Sequence, residues 1–198
     1  MHAAQFDESS LAAVAVERMI FRHRCMIVLE TERLRLRWLT LDDAPFIIEL
    51  LNDPSFIRFI GDKRVRTIED AEKYISNGPL ASYEQFGYGL YATELRDSSA
   101  PIGICGILKR ETLPHPDIGF AFLPAYRSQG YAFEAADAVM KHARATFQVR
   151  TILAITTPDN EASGKLLAKI GLRFDRMIKL TPESDEVKLF TTTENGQG

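Results

Sequence analysis

The segment from Asp117 to Phe147 constrains the fold more than any other, because it joins a strand pattern directly to a long helix pattern. Asp117 to Leu123 is mostly apolar and ends at Pro124, as strands often do. From Ala132 onward, apolar residues recur at helical spacing, at Ala135, Ala136, Val139, Met140, Ala143 and Phe147. The sequence therefore predicts a strand, a short loop and a long helix in direct succession.

The loop between this strand and helix has the properties of an anion site. The first backbone N–H groups of a helix are unpaired, and the helix dipole adds partial positive charge there. Gly130 permits close approach of a ligand to the backbone, and Ala132 is too small to block it. The pattern favours a phosphate site over residues 128–132, although an ordinary strand-to-helix turn has the same composition. Neither G-x-x-x-x-G-K-[ST] nor G-x-G-x-x-G occurs, which argues against the two common nucleotide loops.

The remaining periodicities predict an α/β (α+β) fold around a mixed, mostly antiparallel sheet. About seven strands are expected, at Leu34–Trp38, Tyr88–Leu95, Ile102–Leu108, Asp117–Leu123, Thr151–Thr156, Arg173–Leu180 and Val187–Thr192. About four helices flank them, at Leu41–Asn52, Thr67–Ser76, Ala132–Phe147 and Asn160–Ile170. Thr40 with Asp43, and Thr67 with Asp70, have the spacing of helix-capping pairs.

Composition and termini define the class of protein that we expect. The net charge is −3, so no overall basic field favours nucleic acid as a partner. Two cysteines form no disulfide framework, and no run reaches the ~20 apolar residues of a membrane span. Residues 1–25 are predicted to be an extension and not a secretory signal, since their arginines follow the apolar part. We expect a cytoplasmic protein with one domain over 26–193 and a tail over 194–198.

Several motifs together resemble those of a known family. Residues 127–132, Arg-Ser-Gln-Gly-Tyr-Ala, resemble the Q/R-x-x-G-x-G/A pyrophosphate loop of the GNAT superfamily of N-acetyltransferases. Residues 31–37 resemble the first strand of the branch that contains the ribosomal-protein alanine N-acetyltransferases. Residues 131–135 and 160–174 resemble that branch's central helix start and its later helix and strand. The resemblance spans residues 30–192.

This resemblance implies acetyl-coenzyme A (acetyl-CoA) as the donor and no metal. It implies a GNAT-like sheet with a V-shaped splay between the fourth and fifth predicted strands, where the pantetheine arm lies along the fourth. The implied cofactor-binding residues are Phe122, Leu123, Arg127, Ser128, Gln129, Gly130, Tyr131, Ala132, Asn160 and Lys165. Arg127 would add charge-assisted contacts to the pyrophosphate. As alternatives to a cofactor contact, Asn160 could cap its own helix and Lys165 could simply be solvated.

Direct acetyl transfer needs a neutral amine, although amines are mostly protonated at neutral pH, so a base is useful. Asp117 is the first candidate base. The alternative is that Asp117 only faces solvent at the end of its strand. Glu134 is the second, and an acid there also complements the helix dipole. Ser163 is the candidate acid, or else a residue bonded to its own helix. Many members of the superfamily have a tyrosine where Leu167 stands, so that acid is absent here.

The acceptor amine stays open in the sequence. A protein N-terminus, a polyamine or aminoglycoside-like amine, and an amino acid all fit an enzyme that is a monomer or a homodimer. One group of residues is basic and would favour an acidic acceptor: Arg58, Lys63, Arg64 and Arg66. Another is acidic and would favour a cationic amine: Glu183, Asp185 and Glu186. Alternatively, both groups are only solvated surface. The rival function is a non-catalytic coenzyme A-binding module, which would require neither Asp117 nor Ser163.

Overall fold

A computed structural model describes residues 26–192 of the chain. Eight strands form one sheet in the order β1-β2-β3-β4-β5-β6-β8-β7. They are β1 Ile27–Glu30, β2 Leu34–Arg37, β3 Leu90–Leu95, β4 Pro101–Leu108, β5 Asp117–Phe122, β6 Leu153–Thr156, β7 Leu172–Lys179 and β8 Glu186–Thr192. The predicted extension over 1–25 and the tail over 194–198 lie outside the described residues.

The helices include all four that the sequence predicts and two short additional ones. They are α1 Ala44–Leu51, α2 Pro54–Ile60, α3 Ile68–Ile75, α4 Ala81–Phe86, α5 Tyr131–Phe147 and α6 Glu161–Lys169. The additions are α2 and α4, and β1 is likewise a strand beyond the seven expected. The predicted mixed, mostly antiparallel sheet is confirmed, with one more strand than expected.

Helix α2 was missed because the sequence Asp53-Pro54 is ambiguous. A proline after Asp53 fits the end of one helix as well as the first turn of another, and Pro54 occupies the first turn of α2, where its missing N–H costs nothing. The Asp53 carboxylate accepts hydrogen bonds from the N–H groups of Ser55 (3.0 Å) and Phe56 (3.2 Å), which caps the helix. The capping pair predicted at Thr67 and Asp70 is present at the start of α3.

The long helix α5 packs on the sheet through the face that its periodicity predicts. The buried residues of α5 are Ala135, Ala136, Val139, Met140 and Ala143, and the helix lies against β2, β4 and β5. Alanines at three of these positions let the helix approach the sheet closely. Its N-terminus is thereby fixed directly beyond the end of β5, which positions the predicted anion loop.

The helices before β3 are anchored to the sheet by a buried charge network. The Arg37 guanidinium donates to both carboxylate oxygens of Asp43 (2.8 Å each) and to Glu94 on β3 (2.8 Å). All three side chains are buried, so each charge needs the others for compensation. This network fixes the entry into α1.

The sheet opens between β5 and β6, its one parallel pair. A single register pair, Asp117 with Leu153, joins these strands, next to a hydrogen bond from the Leu153 N–H to the Pro116 carbonyl (2.9 Å). Beyond it the strands diverge, while β5 stays paired with β4 through Phe122. Residues 119–121 of β5 are half-buried in this splay. The predicted V-shaped opening is present, between β5 and β6 in the numbering of the structure.

Candidate functional site

The loop that follows β5 has the backbone shape of an anion cradle. Ser128 (φ 62°) and Gly130 (φ 85°) both adopt left-handed conformations, and Gly130 caps the start of α5. The Gln129 side chain donates to the Ala125 carbonyl (2.7 Å), which closes the turn. The first-turn amides of α5, including those of Tyr131 and Ala132, have no helical acceptors. The predicted anion loop therefore has a suitable geometry.

Arg33, from the turn between β1 and β2, braces this loop and was missed by the sequence analysis. Its guanidinium donates to the Gln129 carbonyl (3.1 Å) and lies 4.4 Å from the ring centre of Tyr131. The positive φ of Gly130 favours glycine, and a Cβ added there would lie 3.3 Å from the same guanidinium, a tight contact that a small shift of Arg33 would relieve. Arg33 lies within the strand motif that resembles the family, but nothing in its spacing indicates this distant contact.

The Glu134 carboxylate accepts hydrogen bonds from the turn between β1 and β2, which also contains Arg33. The carboxylate accepts from the Thr31 hydroxyl (2.6 Å), the Arg33 N–H (2.9 Å) and the Arg33 guanidinium (2.7 Å). Partial burial raises the pKa of Glu134, but these donors outweigh it and hold the pKa below its usual value. The second candidate base thus has the contacts of a structural anchor between the β1–β2 turn and α5.

Arg127 makes hydrogen bonds within the protein through its whole guanidinium group. Its guanidinium donates to the Phe122 carbonyl (2.8 Å), the Ser55 hydroxyl (2.6 Å) and the Asp53 carboxylate (2.6 Å). All three guanidinium nitrogens thus have protein partners, and two of these partners, Ser55 and Asp53, lie at the start of α2. The residue ties the anion loop to α2.

Asn160 and Ser163 lie together at the start of α6, on the other side of the splay. The Asn160 side-chain oxygen caps the helix by accepting the Ser163 N–H (3.1 Å). Ser163 is half-buried and follows β6 closely in the chain. Lys165 is exposed, 3.7 Å from the Glu161 carboxylate, which suits a solvated lysine.

Asp117 is buried at the closed end of the splay, and not at the surface as the alternative required. The Arg110 Nε lies 3.0 Å from each of its carboxylate oxygens. Burial raises the pKa of Asp117 above its usual value, although the Arg110 charge opposes the shift. A buried carboxylate with a raised pKa, next to a cleft, has the environment of a general base.

Two further side chains are affected by the charge of Arg110. Lys63, in the loop between α2 and α3, has a pKa lowered by partial burial and by the Arg110 charge. Tyr74 on α3 has a pKa raised by burial, which the Arg110 charge opposes. Lys63 belongs to the basic group noted in the sequence. Its electrostatic interaction with Arg110 was not expected, because Arg110 is distant in the chain, in the loop between β4 and β5.

Two positions limit the chemistry of the site. Leu167 is buried in the core, so no acid occupies the position of the usual tyrosine. Cys105 is fully buried in β4, and burial raises the pKa of its thiol, which does not suit a covalent acyl carrier. Within residues 26–192, no cluster of three or more His, Cys, Asp or Glu side chains is arranged to hold a metal ion. No helix in the same range is long and apolar enough to cross a bilayer.

Known proteins share this architecture. Two relatives from Bacillus subtilis (strain 168), the "uncharacterized N-acetyltransferases" YnaD and YoaA, are 29% identical over 149 residues and 28% over 153. These alignments cover 75% and 77% of this chain, and 84% and 86% of the relatives. The acetyltransferase from Agrobacterium tumefaciens str. C58 is 26% identical with a TM-score of 0.69, over 84% of this chain and 94% of that one.

The fold extends to more distant enzymes. RimL, a ribosomal L7/L12 alpha-N-protein acetyltransferase solved in complex with coenzyme A, has a TM-score of 0.72 at 17% identity, over 83% of this chain and 96% of that one. The family model described as "Acetyltransferase (GNAT) domain" matches residues 33–173, which include the splay, the anion loop and all three candidate catalytic positions. The chain therefore belongs to the GNAT family of acetyltransferases.

Proposed function

We propose that the protein transfers the acetyl group of acetyl-CoA to a primary amine by direct attack while both substrates are bound. The observation that carries this proposal is the splay between β5 and β6, which opens toward the anion loop at the end of β5. A ligand with a phosphate head and a narrow extended arm fits this shape. Family membership supports acetyl transfer, and the acceptor is our own inference.

The donor is held by backbone groups in this proposal. The amides of residues 128–132 bind the pyrophosphate at the start of α5, as helix N-termini do. The pantetheine arm lies along β5, pairing with backbone groups of residues 119–123 on the side from which β6 has diverged. Arg33 and Arg127 position the loop from its two sides. Asn160 fixes the start of α6 at the opposite edge.

The reaction needs one proton removed and one thiolate released. Asp117 accepts a proton from the ammonium group through water, which leaves a neutral amine. The amine nitrogen attacks the thioester carbonyl, so that a C–N bond forms and the C–S bond breaks. Ser163 donates a hydrogen bond to the departing thiolate, which needs little help because a thiol pKa is only ~8.5. The proton on the new amide nitrogen passes to solvent.

Two alternatives predict different measurements. A non-catalytic module would bind acetyl-CoA but release no thiol with any amine. A covalent route through Cys105 would give parallel lines in initial-velocity plots, but that thiol is buried.

The test is a thiol-release assay with acetyl-CoA and a panel of amines, corrected for hydrolysis without amine. We expect amine-dependent thiol release, an N-acetylated product by mass spectrometry and intersecting initial-velocity lines. Binding of acetyl-CoA without turnover across peptide N-termini, polyamines and amino acids would favour the binding module instead.

A further inference from the structure

Strand β7 is an exposed edge of the sheet. It is the last strand in the sheet order, so within residues 26–192 only β8 pairs with it, and its outer edge has no strand partner. Residues 173–177 are all exposed. The strand at the opposite edge, β1, has four residues, whereas β7 has eight. Because the outward N–H and C=O groups of a long edge strand are a template for pairing, β7 is the edge better suited to bind another strand.

This edge carries two exposed apolar side chains on one face. Phe174 is 53% exposed and Met177 is 37% exposed. Phe174 is in register with Phe190 on β8, and Met177 is in register with Lys188. Residues in register on paired strands point to the same face, and Phe190 and Lys188 are two residues apart, so they also share a face. Phe174 and Met177 therefore lie on one face, where a second strand along the edge would cover both.

A β-bulge at Asp175 explains how residues three positions apart share a face. The register with β8 moves from Phe174–Phe190 directly to Arg176–Leu189, so Asp175 is an extra residue in β7. Asp175 and Arg176 both line a groove that also contains Leu189, on the face opposite Phe190. The bulge thus places two charges together on one face of the edge and two apolar side chains on the other.

These faces determine how two copies of β7 can pair. Residues directly opposite one another in an antiparallel pair lie on the same face. A two-fold axis between Asp175 and Arg176 sets each of them opposite the other in the second copy, and it sets Phe174 opposite Met177. Because the bulge shifts the phase of β7 at this axis, all eight residues are then matched face to face. A shift by one residue sets Asp175 opposite Asp175, or Arg176 opposite Arg176.

The charges in the matched register are complementary. Within one chain, the Arg176 guanidinium pairs with the Asp175 carboxylate (2.7 Å), and both side chains are exposed. In two paired strands, each carboxylate has one guanidinium beside it in its own chain and another across the axis. Opposite charges directly across two strands stabilise the pair, whereas like charges destabilise it. The edge of β7 is therefore complementary to itself in shape, polarity and charge.

We propose that β7 is an interface between two copies of the chain, whose β7 strands pair antiparallel about a two-fold axis so that the two sheets become one. Phe174 of each copy packs against Met177 of the other on one face. Asp175 of each copy pairs with Arg176 of the other on the opposite face. This interface goes beyond the proposed acetyl transfer and does not depend on it.

Analytical ultracentrifugation of the full chain tests the interface. We expect the mass to rise with concentration from that of one chain to that of two. Asp175→Arg and Arg176→Asp should each raise the dissociation constant of the dimer at least about tenfold, since each sets like charges opposite one another at two symmetric positions. The double variant Asp175→Arg/Arg176→Asp exchanges the charges and should restore the dimer.

Matched variants elsewhere locate the effect. Ile27→Glu adds a charge at the other edge strand, where Ile27 is exposed, and should leave the dimer intact, whereas Met177→Glu should weaken it. Lys141→Glu reverses an exposed charge on α5 and should also have no effect on the mass. All of these variants should unfold near the wild-type temperature, because exposed ion pairs contribute little to the stability of one chain.

The proposal is overturned if the chain stays monomeric into the millimolar range, or if both single charge reversals dimerise as the wild type does. It is equally overturned if the exchanged double variant fails to recover the dimer, or if Ile27→Glu disrupts the dimer and Met177→Glu does not. The thermal shift with acetyl-CoA, measured on the same samples, reports on the proposed function separately.

Discussion

Substitution of Asp117 by asparagine tests whether the Asp117 carboxylate has a catalytic or a structural role. Positioned proton transfer contributes about 10²–10⁴-fold to rate, or about 3–5 kcal/mol of transition-state stabilisation at ~1.36 kcal/mol per factor of ten. We expect Asp117→Asn to lower kcat/KM by at least about 100-fold near neutral pH. The loss should be largest at pH values above the Asp117 pKa and well below the amine pKa, and smaller as the amine loses its proton without help.

The stability of the same variant should move differently. Because burial raises the pKa of Asp117, the folded state holds this proton more tightly than the unfolded state does. The contribution of Asp117 to stability is therefore unpenalised below the unfolded pKa, near 3.8, and declines as pH rises through the folded pKa. Asparagine does not titrate, so the variant should gain stability relative to wild type over that window. Loss of the pair with the partly exposed Arg110 offsets this by about 0–1 kcal/mol.

The assays are a pH–rate profile with any amine that turns over and urea unfolding at pH 4 and pH 8. A loss of only a few-fold at every pH would refute Asp117 as the base. A parallel loss of rate and stability would instead make it a structural residue.

Four other outcomes follow from the described contacts and the sequence. Arg110→Gln removes the charge that opposes the raised Asp117 pKa, so the acidic limb of kcat/KM should move to higher pH. Gly130→Glu should abolish the thermal shift with acetyl-CoA, whereas Gly171→Ala, at a comparable φ of 90° but with open space around it, should retain the shift. Glu134→Gln should cost about 1–3 kcal/mol in urea unfolding above pH 5, an effect that fades as pH falls through the lowered Glu134 pKa. A chain that starts at Met26 should fold and bind acetyl-CoA, and loss of cooperative unfolding would show that residues 1–25 are required.

Periodicity predicted the elements whose hydrophobic pattern is long and regular. Helix α5 was expected from Ala132 and begins at Tyr131, because its apolar face recurs over several turns. Short elements carry less pattern, so the six-residue α4 and the seven-residue α2 were not predicted. The anion loop was predicted from local chemistry alone, since helix start, glycine and small residue are adjacent in the chain.

Long-range side-chain contacts explain what the sequence did not reveal about the site. The motif around Arg127 predicts a phosphate contact but does not indicate its ion pair with Asp53, 74 residues away in the chain. Likewise, the position of Glu134 makes it a candidate base but does not indicate that Arg33, 101 residues away in the chain, binds its carboxylate. Local patterns indicate which charged residues are present, but not which of them form ion pairs with one another. These ion pairs depend on which residues the folded structure brings together.

The single register pair between β5 and β6 has a consequence for the cooperativity of the molecule. The elements after it, β6, α6, β7 and β8, are contiguous in the chain and pack mainly on one another. The two sides of the sheet share one hydrophobic core, which includes Ala154 and Phe190, but their backbone pairing is limited to Asp117–Leu153. A ligand that contacts both β5 and β6 in the splay would add connections where the strands do not pair. Amide exchange in β6 and β8 should accordingly slow when acetyl-CoA binds.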